Sequence, residues 1–328
     1  MMRLPPFRWH APKDLAEVVR ILAGEGPAAR VVAGGTDLFP NMKRRHQRAS
    51  TLVGLAGVAG FAGVSTTSAG DLVVGAGTTL RTLERDATAA RLAPALVEAV
   101  TTISTPVLRN MGTIGGNVCL DTRCNYYNQT WEWRRAIDFC MKCDGTTCWV
   151  APSSPRCWAV NSSDGVPALI ALGARARLVG PDGEREVAVG DLFRDDGIDY
   201  LAKRPDEVLA SLTVPAQGEA VSTYRKVRRR GAFDFPVAGV AVRLRREGDR
   251  VAEVAIVVNG VGSSPIRCTA AEALLVGEVA DAERIAAAAA AAWKPARPLD
   301  NTDHEHSWRK RMVRVETKRA LEALTAPR

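Results

Sequence analysis

The chain has 328 residues, 46% hydrophobic and 24% charged, with a formal net charge of +8, a balance typical of a folded protein of two or three domains. No stretch approaches the ~18 apolar residues of a membrane span, and the opening MMRLPPFRWHAPKDLAEVV lacks the apolar run of a signal peptide, so the sequence reads as cytoplasmic, with no membrane partner. The positive charge gathers in KRRHQR (43–48) and RKVRRR (225–230); both runs are short and carry no helix-turn-helix or RNA-binding signature, which argues against nucleic acid and leaves an anionic cofactor or an acidic protein as the partner such charge suits.

In chain order, PKDLAEVVRILA (12–23) has Pro at the first helical position and apolar Leu15, Val18, Val19 and Leu22 on one face, which predicts an amphipathic helix. ARVVAG (29–34) predicts a short buried strand running into GGTD, and DLVVGAG (71–77) another. TTLRTLERDATAARLAPALVEAVTTI (78–103) reads as helical; VPALIALGARARLVG (166–180) as helix then strand; EVLASLTVP (207–215) as strand. From about residue 221, STYRKVRRR and VAGVAVRLRREGDRVAEVAIVVNGVGSSP alternate as paired strands. IAAAAAAAW (285–293) and SWRKRMVRVETKRALEAL (307–324) close the chain as helices. Strands and helices mix without the regular βαβ beat of a doubly wound sheet, so the class is α+β. There is no internal repeat, and the boundary between two blocks falls at PAQGEAVS (215–222).

Two glycine-rich turns carry chemistry, VVAGGTDL (31–38) and NMGTIGGN (110–117). Glycines let backbone approach a pyrophosphate, and peptide N–H groups and a Thr hydroxyl donate to its oxygens. Neither turn matches the Walker A or the GxGxxG pattern; together they are able to grip one diphosphate from both sides.

The remaining signal is cysteine. Five of the seven fall at Cys124, Cys140, Cys143, Cys148 and Cys157, with Cys119 just upstream and Cys268 far away. In a reducing compartment clustered cysteines point to metal ligation or catalysis before disulfides. Four of them suit a tetrahedral zinc, with CMKC as a close pair; the C-x2-C-x2-C run of a two-cluster ferredoxin is absent. Spacing alone leaves zinc and iron–sulfur both open.

VVAGGTDL, MGTIGGN, SSDGVPALIALGA and YRKVRRRGAFDFPVAGVAV occur in the order found in the flavoprotein subunits of the molybdenum hydroxylase (xanthine oxidase) family, which the chain resembles over essentially its whole length. The resemblance implies a two-subdomain FAD-binding domain of the PCMH (vanillyl-alcohol-oxidase-like) type over residues 1–218, with subdomains of about 1–57 and 58–218. A smaller α+β C-terminal domain of the CO-dehydrogenase-flavoprotein type then spans 219–328. It also implies that FAD is held by Val31, Val32, Ala33, Gly34, Gly35, Thr36, Asp37 and Leu38 on one wall and by Ile103, Thr113, Gly115, Gly116 and Asn117 on the other. Asp164 and Lys226 are implied as further flavin contacts; a cation near the ring would stabilise its electron-rich reduced form.

In most such subunits the GGN loop reaches the SD segment after a short connection, whereas Asn117 and Asp164 are here 47 positions apart. An insertion of about 119–160 that long needs a function or an internal tie. With DTRC, YYNQ, its tryptophans and spaced cysteines, it resembles the insertion of the 4-hydroxybenzoyl-CoA reductase type of flavoprotein (β) subunit. That likeness implies a 4Fe-4S cluster on Cys124, Cys140, Cys148 and Cys157, with Tyr126, Tyr127, Trp131, Trp133, Trp149 and Trp158 supplying the core that a short insertion lacks. Cys119 is read as a small residue behind the flavin loop, Cys143 as an extra thiol and Cys268 as an isolated one. The same likeness implies a large molybdopterin-binding subunit and a small 2Fe-2S subunit as partners, in a heterohexamer built as a dimer of heterotrimers. Electrons would run from a ferredoxin through the 4Fe-4S cluster and FAD to 2Fe-2S and molybdenum, and no catalytic residue would lie in this chain.

Overall fold

The computed structural model describes residues 2–326 and arranges them around three sheets. The first is small and parallel, with β1 (Arg8–His10) and β2 (Ala29–Val32) flanking β3 (Thr51–Gly54). Between β1 and β2 runs α1 (Leu15–Glu25); Asp14 caps it by accepting from the Glu17 N–H, and Val18, Val19 and Leu22 form its buried face. β2 stops at Val32, short of the predicted strand end. The glycines that follow therefore form a free loop leading to α2 (Leu38–Lys43).

The second sheet is antiparallel throughout, with β4 (Val64–Thr66), β5 (Leu72–Gly75), β6 (Arg175–Gly180), β7 (Gly183–Ala188) and β8 (Val208–Val214) in the order β4-β5-β8-β6-β7. The segment 78–103, expected as one helical stretch, is three helices: α3 (Leu80–Arg85), α4 (Ala87–Leu92) and α5 (Pro94–Thr102). Asp86 is extended and spends its carboxylate on the Ala89 N–H, starting a new helix, while Pro94 at the head of α5 keeps Ala93 out of the helical region. α6 (Pro106–Arg109) and α7 (Ile114–Val118) carry the second glycine loop between them. Residues 119–163 are mostly irregular, with one short helix, α8 (Trp131–Ala136), before α9 (Gly165–Ala171) returns to the core.

The third sheet runs β12-β11-β10-β9, built from β9 (Val221–Val227), β10 (Ala238–Glu247), β11 (Arg250–Asn259) and β12 (Ile266–Arg267). One face is covered by α10 (Thr269–Glu272), α11 (Ala282–Ala292) and α12 (His306–Thr325). The alanine tract supplies small side chains, Ala288, Ala289 and Ala292, where α11 meets α12 and the sheet. On the other face α5 packs on β9 and α9 on β10 and β11, so Tyr224, Ala241 and Val257 share one core with the FAD-type half. Among the described residues no helix is long and apolar enough to cross a membrane.

Candidate functional site

A cavity of about 1000 Å³, the upper end of what a cofactor site occupies, is lined by both glycine loops. The loops meet edge to edge: a Cβ on Gly34 would overlap the Met111 carbonyl and stand 3.0 Å from the Gly112 nitrogen. Gly115 is pressed against Ala76, where a Cβ would sit 2.7 Å from the Ala76 Cβ. Thr113 ends the second loop as the cap of α7, its Oγ1 accepting from the Gly116 N–H at 3.1 Å. Asp37 closes the first loop, accepting from Asn41 Nδ2 at 2.9 Å and pairing with Arg123. Of the predicted cofactor residues, those from Val31 to Leu38, with Ile103, Thr113, Gly115, Gly116, Asn117 and Asp164, all line this one cavity. Its volume and the bare backbone of its glycine edges fit an FAD.

Lys226 is placed differently. It is not in the cavity lining; its Nζ lies behind Asp164, donating to Asp164 Oδ2 at 2.8 Å and to the Thr102 carbonyl at 3.0 Å. Tyr224 donates to the other oxygen of the same carboxylate at 2.7 Å. Burial pushes the Asp164 carboxyl up and the Lys226 ammonium down, each against the attraction of its partner. Lys226→Ala would strand the carboxylate in a site where both side chains are at most 3% exposed. The expected cost is about 3–5 kcal/mol of unfolding free energy, read by urea denaturation, with most of it recovered in the double variant Asp164→Leu/Lys226→Met. A loss below about 1 kcal/mol would mean that the pair behaves as a surface one.

The cavity mouth holds residues that sequence reasoning passed over. Phe233 and Phe235, 59% and 43% exposed, line it together with Ser104 and Asp234. Ser104 (φ 51°) and Phe233 (φ 74°) are both in the left-handed region without being glycine, and the Phe233 N–H donates to the Ser104 carbonyl at 2.8 Å. Such paired strain is held in place by surrounding structure and gathers at functional edges. The aromatic pair in GAFDF, in a loop beside a basic run, was the available signal.

The insertion begins and ends at one place. Asn117 Oδ1 accepts from Ser163 Oγ (2.8 Å) and from the Gly165 N–H (3.0 Å), and Arg123 and Val160 exchange both backbone hydrogen bonds, at 2.8 and 2.7 Å. Between these ties Cys124, Cys140 and Cys157 are buried with Tyr127 and Ala159 in a small core of their own. Cys148 is also buried, within electrostatic range of Cys157. All seven thiols are free of disulfides. Burial pushes Cys124 up to about 12 and Cys157 to about 11, and mutual repulsion among Cys124, Cys140, Cys148 and Cys157 adds to it. Among the described residues no group of three or more His, Cys, Asp or Glu side chains is gathered tightly enough for one metal ion. Buried thiols are donors that both zinc and iron–sulfur clusters take, and Cys124, Cys140 and Cys148 each lie in electrostatic range of Cys157.

The ring shell expected around the cysteines is only partly there. Tyr127 is buried among them, but Trp133 and Trp149 are 41% and 38% exposed; the thiols themselves are the core of the insertion. Trp131 packs on Phe139 and carries Arg45 and Arg135 on its ring at 5.4 Å. The basic run 43–48 is thereby a clasp for the insertion: His46 Nε2 meets the Gln129 carbonyl at 2.9 Å, and Arg48 pairs with Asp144. The second run is also spent internally, on Glu316, Asp164, the Thr102 carbonyl and Asp234. Cys143 accepts from the fully buried Arg134 at 2.9 Å, Cys119 lines the FAD-sized cavity, and Cys268 is buried against α11.

The comparisons with known proteins cover the same ground. Residues 5–217 match the family described as FAD binding domain in molybdopterin dehydrogenase. Residues 222–324 match the CO dehydrogenase flavoprotein C-terminal domain. A carbon monoxide dehydrogenase medium chain of Afipia carboxidovorans is 30% identical over 325 residues, 98% of this chain and 97% of that one. A putative xanthine dehydrogenase FAD-binding subunit of Escherichia coli is 23% identical over 320 residues, covering 97% and 96%. The solved carbon monoxide dehydrogenase of Hydrogenophaga pseudoflava, in a form lacking the Mo-pyranopterin moiety, superposes with a TM-score of 0.82 at 27% identity, over 98% of each chain.

Proposed function

We propose, from the premise that this chain belongs to the FAD-binding subunits of the molybdopterin dehydrogenase (molybdenum hydroxylase) family, that it is the electron-entry subunit of a 4-hydroxybenzoyl-CoA reductase-like enzyme. It is an oxidoreductase subunit with an FAD-binding domain; what the proposal adds is the second cofactor and the direction of flow. The observation that carries it is that Cys124, Cys140 and Cys157 are buried together, with Cys148 buried in electrostatic range of Cys157, around Tyr127, a residue that also lines the cavity assigned to FAD. We assign those four thiols to a 4Fe-4S cluster, and Val31 to Leu38, Ile103, Thr113, Gly115 to Asn117 and Asp164 to FAD. Residues 1–218 would form the FAD-binding domain, in subdomains of about 1–57 and 58–218, and residues 219–328 the C-terminal domain.

When bound, the cluster would carry single electrons, and FAD, which exchanges one or two, would join it to centres of different electron count. The chain's own residues do the holding. The glycine loops let backbone reach the diphosphate, Phe233 and Phe235 flank the entrance, and Tyr127 and Ala159, buried beside the thiols, would keep water from a cluster held there. Substrate chemistry, the reductive dehydroxylation of an aromatic CoA thioester, would occur on a large molybdopterin-binding subunit reached through a small 2Fe-2S subunit, in a dimer of heterotrimers. The donor would be a ferredoxin in the cytoplasm. The exposed Lys43, Arg44, Arg45 and Arg135, the last two against the Trp131 ring, offer an acidic carrier a complementary face.

The test is anaerobic purification with iron, sulfide, zinc and flavin analysis, followed by reduction with a ferredoxin at low and high salt. About four irons and four sulfides per flavin are expected, with a reduction rate that falls at least tenfold between 50 and 500 mM salt, as steering by exposed charge is screened. One zinc and no iron would sink the cluster; a salt-independent rate would remove the acidic donor.

A further inference from the structure

The wall between the FAD cavity and the cysteine pocket is built around a buried ion pair that the reading above leaves without a role. Lys142 Nζ donates to Asp121 Oδ1 at 2.8 Å, to Thr122 Oγ1 at 2.8 Å and to the Gly197 carbonyl at 2.6 Å. Both charged side chains are 7% exposed, and the rings of Tyr127 and Tyr200 flank the ammonium at 5.0 and 5.4 Å. The other carboxylate oxygen of Asp121 takes Gln47 Nε2 at 2.9 Å and the Tyr127 hydroxyl at 3.1 Å.

This pair faces two ways. Lys142, Asp121, Tyr127 and Tyr200 all line the cavity. On the other side the Cys143 N–H donates to the Cys140 carbonyl at 2.8 Å, which ties the turn carrying Lys142 to that cysteine. Gly197, whose carbonyl receives the ammonium, packs so closely on Cys157 that a Cβ there would stand 2.6 Å from the sulfur. Stability does not account for the charges, since well-packed apolar residues of the same volume hold a buried wall as well as an ion pair does.

We propose that the Lys142–Asp121 pair is a positioning element for electron transfer, its cation fixed in the shared wall so that negative charge arriving on either cofactor meets it. This rests on the flavin and cluster reading above. A fixed cation favours the reduced form of a nearby centre, and its carboxylate partner opposes it; removing one or the other moves a potential in opposite directions. A merely structural role has no such sign.

The experiment is a spectroelectrochemical titration of the full chain holding FAD, with dithionite supplying two electrons and buffer supplying one proton for each FAD converted to the anionic hydroquinone FADH−. Lys142→Met should lower the equilibrium constant for flavin reduction about tenfold, ~30 mV for a two-electron couple. Asp121→Asn should raise it by a similar factor, and Lys142→Arg should keep the potential of the unaltered chain. Shifts of the same sign, or none, in Lys142→Met and Asp121→Asn would overturn the proposal. If Lys142→Met does not fold, the rise in Asp121→Asn decides, because an unmoved or lowered potential there is equally fatal. Iron is assayed in the same samples: its absence from all of them would end the cluster reading, while the flavin shifts would still decide the role of Lys142.

Discussion

Gly34→Ala is expected to weaken FAD binding at least a hundredfold, about 2.8 kcal/mol, while the chain stays folded. The added methyl has nowhere to go. It would overlap the Met111 carbonyl and crowd the Gly112 nitrogen, and these are backbone atoms of the second glycine loop, with no flexible side chain to swing aside. The loops must part, and the edge at which they meet is the surface offered to the diphosphate. Outside the two loops the neighbouring structure is unaffected, since β2 ends at Val32 and α6 at Arg109. Gly24→Ala is the matched control, because nothing lies within 4 Å of a Cβ there. Titration of apoprotein with FAD, followed by flavin fluorescence, reads both. A Gly34→Ala affinity within a factor of three of the control would mean that this edge does not carry the cofactor.

Cys148→Ser is expected to lower bound iron at least tenfold, about 1.4 kcal/mol of binding free energy or more, and to leave one FAD per chain. Thiolate, not hydroxyl, is the ligand that iron–sulfur chemistry requires, and Cys148 lies in the insertion, away from the lining of the FAD cavity. The loss should also loosen the insertion. Its core is Cys124, Cys140 and Cys157 with Tyr127 and Ala159, and a metal held by thiols of that core and Cys148 would supply folding free energy directly. Amide exchange within 124–157 should therefore rise in Cys148→Ser while exchange in β10 and β11 stays unchanged. Iron content that survives the substitution would overturn the ligand assignment, and Cys143, held by Arg134 a short way off, would be the thiol to examine next.

Much of the fold was legible because its signals are local. The apolar 3.6-residue period of α1, which starts at Leu15 after the Asp14 cap and not at Pro12 as the sequence suggested, alternating valines in β10 and β11, and glycines at the end of β2 each act within a few residues. The segment 78–103 was read as helical and is so, in three helices whose breaks at Asp86 and Pro94 were not drawn from the sequence. The glycine loops were legible as a pair, and the structure brings them to one edge. What could not be read was the wall they face: Asp121, Tyr127, Lys142, Tyr200 and Phe233 come from separate stretches, and only the fold assembles them. The charge runs were legible only as charge: Arg225, Lys226 and Arg230 pair with Glu316, Asp164 and Asp234, and His46 and Arg48 hold the insertion, while Lys43, Arg44 and Arg45 stay exposed.

The tie between Asn117 and the Ser163–Gly165 turn has a consequence for how such a protein changes over generations. Because the insertion leaves and rejoins the chain at neighbouring points, its presence burdens the parent fold with little beyond closing one more loop, a cost that grows only with the logarithm of length. The scaffold and the added segment can therefore drift, lengthen or be exchanged on separate schedules. A modular boundary of this kind lets selection attach a new segment to an old flavin domain without first dismantling what already worked.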